Sequence, residues 1–293
     1  MNITIAIASN HPKNQLIQTI RSIRNCTGGE SLPITVVCDS VPISPEVARQ
    51  LRNYSVTYHE LSVATSFAKK CKQLIELCRT DYILLTQDDV VFHRDTIKFV
   101  YRALKSSPRT TFVGVRNIPI PPTSLMERAI SMGTLLSNRI ARAWRNGENY
   151  MSCCGRVMAF PTNWATQLYI PENVVSLDAY LYLENKRRGG RYLCEWSARV
   201  YFKSPSTFSE HLSKSSRFQY SRLEMAAYGF ERLRHEYAMP KGLALSQLAS
   251  LFTRYPTQTV FYIFVFASTK LLRKSKEESL IAAWEADAST KSW

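Results

Sequence analysis

Two adjacent carboxylates end an apolar run in this chain. Tyr82–Thr86 reads Tyr-Ile-Leu-Leu-Thr, and Gln87, Asp88 and Asp89 follow at once. Neighbouring carboxylates repel unless a cation sits between them or water screens them. A hard cation such as Mg²⁺ or Mn²⁺ takes oxygen ligands, often one or two carboxylates completed by substrate phosphates. The simpler reading is a turn-forming, helix-capping pair ahead of Asp95–Lys105. Asp39 follows the β-branched run Ile34–Cys38, and Ser9-Asn10-His11 follows Ile3–Ala8. A strand end therefore recurs three times, twice with a carboxylate.

The elements that must position these groups alternate. Strand-like runs at Ile3–Ala8, Ile34–Cys38, Ser55–Glu60, Tyr82–Thr86 and Thr111–Arg116 are separated by helical spacing over Lys13–Arg24, Pro45–Arg52, Ser66–Arg79 and Asp95–Lys105. Strand and helix in alternation mean an α/β fold with a mostly parallel sheet and flanking helices. Ligands on such sheets sit at the C-terminal ends of the strands, where Ser9, Asp39, Asp88 and Asp89 fall. Ile118-Pro-Ile-Pro-Pro reads as an extended linker, then Thr123–Asn146 as an Arg-bearing amphipathic helix. That helix either packs on its own domain or lies on a membrane surface. A second block follows: a strand at Arg156–Phe160, a helix at Ser176–Arg188 ended by Gly189-Gly190, short strands at Tyr192–Glu195 and Ala198–Phe202, and a helix capped by Thr207 with Glu210 three residues on. Helical periodicity continues over Phe218–Tyr237.

The 293 residues carry 38 Lys+Arg against 23 Asp+Glu, a net charge of +15. Residues 1–100 hold 11 basic and 9 acidic side chains, so the excess belongs to the remainder. Such a field attracts phosphates, whether of nucleic acid, lipid or substrate. No nucleic-acid recognition motif accompanies it, so no nucleic acid is expected. Seven cysteines without Cys-x-x-Cys spacing argue against a disulfide framework and a structural zinc, and no signal peptide is read at the N-terminus. A cytoplasmic setting is expected. Arg254–Lys270 brackets an apolar segment too short for a spanning helix, to be read as a buried helix or as partial insertion at a membrane face. Ser-Asn-His-Pro stands where a dinucleotide fold carries its glycines, and no Walker-type loop exists, which disfavours NAD and P-loop chemistry. Lys69, Lys70 and Lys72 read as a solvated helix face.

Taken in order, these stretches resemble the family-2 glycosyltransferases of the GT-A fold. Ile3–Asn10 is similar to the family's opening strand, Val36-Val-Cys-Asp39 to its second, and Gln87-Asp88-Asp89 to its metal-binding Asp-x-Asp, with Gln in the first place. Cys154-Gly-Arg-Val-Met-Ala-Phe is similar to the glycine-led strand before the acceptor site. Leu177-Asp178 resembles the acidic motif of cellulose-synthase-like members, with Leu where Glu is usual. Pro205, Phe208, His211 and Arg217 keep the following motif, with Lys214 for its Gln and Phe218 for its Trp.

The resemblance implies a GT-A domain over residues 1–220, with a nucleotide-binding half at 1–116 and an acceptor half at 151–220; beyond it, residues 221–293 are expected from their own pattern to form a helical C-terminal extension that associates with a membrane. It implies Asp89 as ligand of Mn²⁺ or Mg²⁺, with His211 a candidate further ligand. It implies Ser9, Asp39, Asp88, Lys214 and Arg217 against the nucleotide sugar, and Asp178 as catalytic base. The implied reaction moves a sugar from a nucleotide-diphosphate donor to an acceptor, with inversion; the basic second half, the Arg-bearing helix and the aromatic segment near residues 255–269 add the expectation of a glycan or lipid-linked acceptor at the cytoplasmic membrane face. Without the resemblance, Asp178 reads as a helix-start Asp, His211 as a packed side chain, and Lys214 and Arg217 as solvated charges. The rivals are a nucleotidyltransferase on a related fold, which would need a Gly-rich basic loop after the first strand, and a catalytically degenerate binding protein. The missing channel helices and Phe218 argue against a processive synthase.

Overall fold

The computed structural model describes residues 1–10, 12–39, 42–281 and 288–291. His11 and Ser40, at two of the predicted strand-end loops, lie outside the described residues. The first half builds β1 (Ile3–Ser9), α1 (Asn14–Arg24), β2 (Ile34–Cys38), α2 (Pro45–Asn53), β3 (Val56–Glu60), α3 (Phe67–Leu77), β4 (Tyr82–Gln87), β5 (Val91–Phe92), α4 (Thr96–Lys105) and β6 (Thr110–Pro119). The second half builds α5 (Leu125–Ala143), β7 (Val157–Pro161), α6 (Thr162–Ala165), α7 (Leu177–Arg187), β8 (Arg191–Phe202), α8 (Phe208–Ala227), α9 (Lys241–Arg254) and α10 (Pro256–Leu271).

One sheet runs β3-β2-β1-β4-β7-β6-β8-β5. Strands β3, β2, β1 and β4 pair in parallel, as do β6 and β8. Strand β7 enters antiparallel between β4 and β6, and β5 antiparallel at the β8 edge. The sheet is mostly parallel, as expected, and covered on both faces. Ile3, Ile5 and Ile7 of β1 face one core with α1, α2 and α4, while Ala6 and Ala8 face the other with α3 and α7. Burial on both sides explains why β1 reads as a continuous apolar run rather than an alternating one. Side-chain caps start the helices that reading placed: Ser44 for α2, Ser66 for α3, Ser124 for α5 and Thr207 for α8 each accept a backbone N–H three residues on.

Several expectations are corrected. The linker at Ile118 begins inside β6, whose Asn117, Ile118 and Pro119 pair with Val200, Tyr201 and Phe202. The two short strands after Gly190 are one strand, β8. A register shift passes from Val115↔Glu195 to Arg116↔Arg199, so residues 196–198 bulge out and interrupt the apolar pattern. Helix α5 is not a free surface helix; Met132, Leu136 and Ile140 are buried against Leu251 and the α9–α10 hairpin. The expected helix over Phe218–Tyr237 ends at Ala227, and Glu231–Tyr237 is a 3₁₀ segment. The 220/221 division falls inside α8. Residues beyond α10 return to that helix: Ser216 Oγ accepts from Lys274 N at 3.0 Å, and Glu210 Oε1 from Ser289 N at 3.0 Å.

Candidate active site at the C-terminal edge of the sheet

The sheet order turns at β1, with β2 on one side and β4 on the other. Such a reversal opens a crevice beyond the strand ends. Register carries the predicted groups to its rim: Ser9 lies beside Cys38, and Ala8 beside Gln87. Ser9 Oγ donates to Asp88 Oδ2 at 2.5 Å across the crevice, and both residues are buried. Thr19 of α1 braces the acidic turn from below. Its hydroxyl donates to the Asp88 carbonyl at 2.9 Å and accepts from Val90 N at 3.3 Å. Asp89, next in the turn, is half-buried. The turn therefore holds one carboxylate inward, tied to Ser9, and the next nearer the surface.

Asp39 ends β2 and is buried against Lys70 of α3. Lys70 Nζ lies 2.8 Å from Asp39 Oδ1 and also donates to Ser9 O at 3.3 Å and to Asn10 Oδ1. Thr65 fills the other carboxylate oxygen, donating from N at 2.6 Å and from Oγ1 at 3.1 Å. Lys70 is not on a solvated face, as its neighbours in sequence suggested. It is 0% exposed, and burial pushes its pKa below the ordinary value. The ammonium clips the ends of β1 and β2 together.

Asp178 reaches the same rim from the first turn of α7. Its Oδ2 accepts from Gly155 N at 3.0 Å and its Oδ1 from its neighbour Ala179 N at 2.9 Å. Gln87, one residue before the acidic pair, donates to the Gly155 carbonyl at 3.4 Å. A Cβ at Gly155 would stand 3.7 Å from Asp178 Oδ2 and 3.8 Å from Gln87 Nε2. Gly155 thus touches both the end of β4 and Asp178. Burial raises the Asp178 pKa above the ordinary 3.8, against the two backbone bonds and Arg156, which lower it. The loop entering α7 is held by Glu224 of α8, whose carboxylate accepts from Val175 N at 2.6 Å and Ser176 N at 3.0 Å.

His211, Lys214 and Arg217 recur every third residue of α8 and so share a face, each half-buried. Among the described residues no group of three or more His, Cys, Asp and Glu side chains gathers around a metal position. His211 and Asp89 therefore complete no three-ligand protein cage. The donors that are present, two carboxylates and a serine hydroxyl, are hard oxygen groups and suit Mg²⁺ or Mn²⁺ bound by few protein ligands and finished by phosphate oxygens. Sequence reasoning missed Thr19, Thr65 and Glu224, none of which carries a motif.

The fold can be set beside solved structures. A mannosyltransferase of Pyrobaculum calidifontis, PcManGT, solved with GDP-Man and Mn²⁺, superposes with a TM-score of 0.61 over 93% of this chain and 88% of its own, at 12% identity. This chain has the GT-A fold. Glucosyl-3-phosphoglycerate synthase of Mycobacterium tuberculosis, solved with Mg²⁺ and UDP, gives 0.53 over 76% and 78% at 11% identity. The S. aureus TarS 1–349 fragment gives 0.51 at 12% identity, over 74% of this chain and 64% of the fragment. No family model and no curated protein matches the sequence.

Proposed function

We propose that the protein is a metal-dependent, inverting glycosyltransferase that moves a sugar from a nucleotide-diphosphate donor to a glycan or lipid-linked acceptor at the cytoplasmic membrane face. The observation that carries the reading is the contact of Gln87 and Asp178 with the same residue, Gly155, which sets a carboxylate beside an acidic strand end. Solved proteins with a similar fold include a mannosyltransferase with GDP-Man and Mn²⁺, a synthase with Mg²⁺ and UDP, and TarS.

Asp89 would hold Mn²⁺ or Mg²⁺ at the strand end, with His211 as a second protein donor, and such a metal would supply positive charge against the departing diphosphate. Asp88, locked to Ser9, keeps the turn in place, so the donor meets a preformed rim. Lys214 and Arg217 add fixed positive charge toward the diphosphate, which costs no reorganisation as charge develops. Asp39, tied to Lys70 and Thr65, forms the floor under the nucleoside.

Asp178 takes the proton of the acceptor hydroxyl as that oxygen attacks the anomeric carbon. Burial helps here, because a carboxylate of raised pKa is the stronger base. A single base beside the donor supports one displacement, hence inversion. The test is a screen of UDP- and GDP-linked sugars with Mn²⁺, reading nucleoside diphosphate release. Metal-stimulated release from one donor class supports the reading. Tight binding of generic nucleic acid with no nucleotide-sugar turnover would reject it.

A further inference from the structure

Helix α10 is built inside out for a helix facing water. The residues it buries include Thr259 and Thr269, each 0% exposed, with Val265. The large apolar residues it presents to solvent include Val260 at 55%, Ile263 at 42%, Phe264 at 66% and Phe266 at 46%. A surface helix of a soluble domain does the reverse. The helix is nonetheless fixed to the body. Tyr262 packs so closely on Gly133 of α5 that a Cβ there would lie 2.6 Å from its ring, and Gln219 Nε2 donates to Thr269 O at 3.1 Å. Pro256, Thr257, Val260, Phe261 and Phe264 line an open, apolar groove of about 570 Å³. Contiguous exposed apolar surface of this kind marks an interaction site.

The charge around it selects the partner. The 34 residues from Lys241 to Lys274 carry five basic side chains (Lys241, Arg254, Lys270, Arg273 and Lys274) and no Asp or Glu. The cations rim the apolar face. Lys270 Nζ stands 5.4 Å from the Phe266 ring centre, and the Arg254 guanidinium 5.5 Å from that of Tyr255. Lys and Arg with apolar stems beside aromatic rings are suited to a headgroup layer above acyl chains. Among the described residues no helix is long and apolar enough to cross a membrane. With 16 residues, α10 is about 24 Å long, short of a hydrocarbon core of about 30 Å.

We propose that the outer face of the α9–α10 hairpin seats this protein on an anionic bilayer, with α10 lying in the plane of the headgroups and Val260, Ile263 and Phe264 directed into the acyl boundary. The seat deepens the membrane half of the proposed function, and the binding itself requires none of the transfer chemistry.

Flotation of the full chain with vesicles tests it. The protein should rise with phosphatidylcholine vesicles containing phosphatidylglycerol, much less with phosphatidylcholine alone, and less in high salt. The variant Val260→Ser/Phe264→Ser should bind at least about tenfold more weakly, from the apolar area withdrawn. Lys270→Gln and Arg273→Gln should each cost about fivefold on anionic vesicles. All these side chains are exposed, so circular dichroism and nucleotide-sugar binding should match wild type. Asp178→Asn should float as wild type does, so loss of transfer and loss of the membrane seat are read separately. Wild-type protein that stays in the soluble fraction overturns the proposal. So does equal flotation of Val260→Ser/Phe264→Ser, or light scattering that shows a wild-type dimer which this variant dissolves, since a second copy would then cover the face.

Discussion

Replacing Lys70 by Met removes one buried ammonium of similar size and leaves Asp39 without its cation. Both side chains of the pair are shut from solvent, 2.8 Å apart. Breaking one side of a buried pair costs about 3–5 kcal/mol, because the remaining charge stays buried. The lower end applies here. Thr65 still donates twice to the other Asp39 oxygen, while Ser9 O and Asn10 Oδ1 also lose a donor. A loss of about 3 kcal/mol is a large share of the 5–15 kcal/mol that holds a typical domain together. Urea unfolding of wild type, Lys70→Met, Asp39→Asn and the double variant, followed by far-ultraviolet circular dichroism at neutral pH, measures it. The double variant should be more stable than the sum of the single losses by at least about 1.5 kcal/mol. Nucleotide-sugar affinity should fall in Lys70→Met as the ends of β1 and β2 loosen. A loss under about 1 kcal/mol, or strict additivity, would refute the clip.

Asp89→Ala should abolish the stimulation of donor binding by Mn²⁺ in titration calorimetry, whereas equal binding with and without metal in wild type removes Asp89 from its role. Transfer should rise with pH through the Asp178 pKa, which burial sets above 3.8, giving kcat/KM an acid limb displaced upward from that value. The same shift has a sign for stability: the folded state holds the Asp178 proton more tightly than the unfolded chain, so ionisation costs stability that grows as pH rises above 3.8. Asp178→Asn gives up one of the two oxygens that accept backbone N–H groups, yet its Tm relative to wild type should be higher near pH 7 than near pH 4; a pH-independent difference contradicts this. Glu224→Gln keeps one acceptor oxygen for two backbone donors and should cost about 1.5–3 kcal/mol in urea unfolding. It should lower kcat while donor KM holds, and an unchanged kcat would show that the loop before α7 does not need it.

Much of the site was legible because strands buried on both faces announce their ends. Apolar side chains dominate Ile3–Ala8 and Tyr82–Leu85, so Ser9 and Asp88 fall at the rim by sequence alone. Asp178 was legible only through family resemblance, since an Asp in the first turn of a helix is ordinary. Lys70 was misread because its partner lies 31 residues away, and periodicity alone cannot tell a buried cation from a solvated one. The bulge in β8 hid one strand as two, and β5 is too short at two residues to leave a pattern. In α10, composition revealed an apolar segment, but only the fold shows that its threonines face inward and its phenylalanines outward.

The central claim is that one cleft joins a metal-bearing strand end to a carboxylate base. Its most direct test compares Asp178→Asn with wild type in donor affinity by calorimetry with Mn²⁺ and in sugar transfer by nucleoside diphosphate release. The account predicts donor affinity within about twofold and transfer down by about 10²–10⁴. Transfer within tenfold of wild type, with the donor still bound, would contradict it.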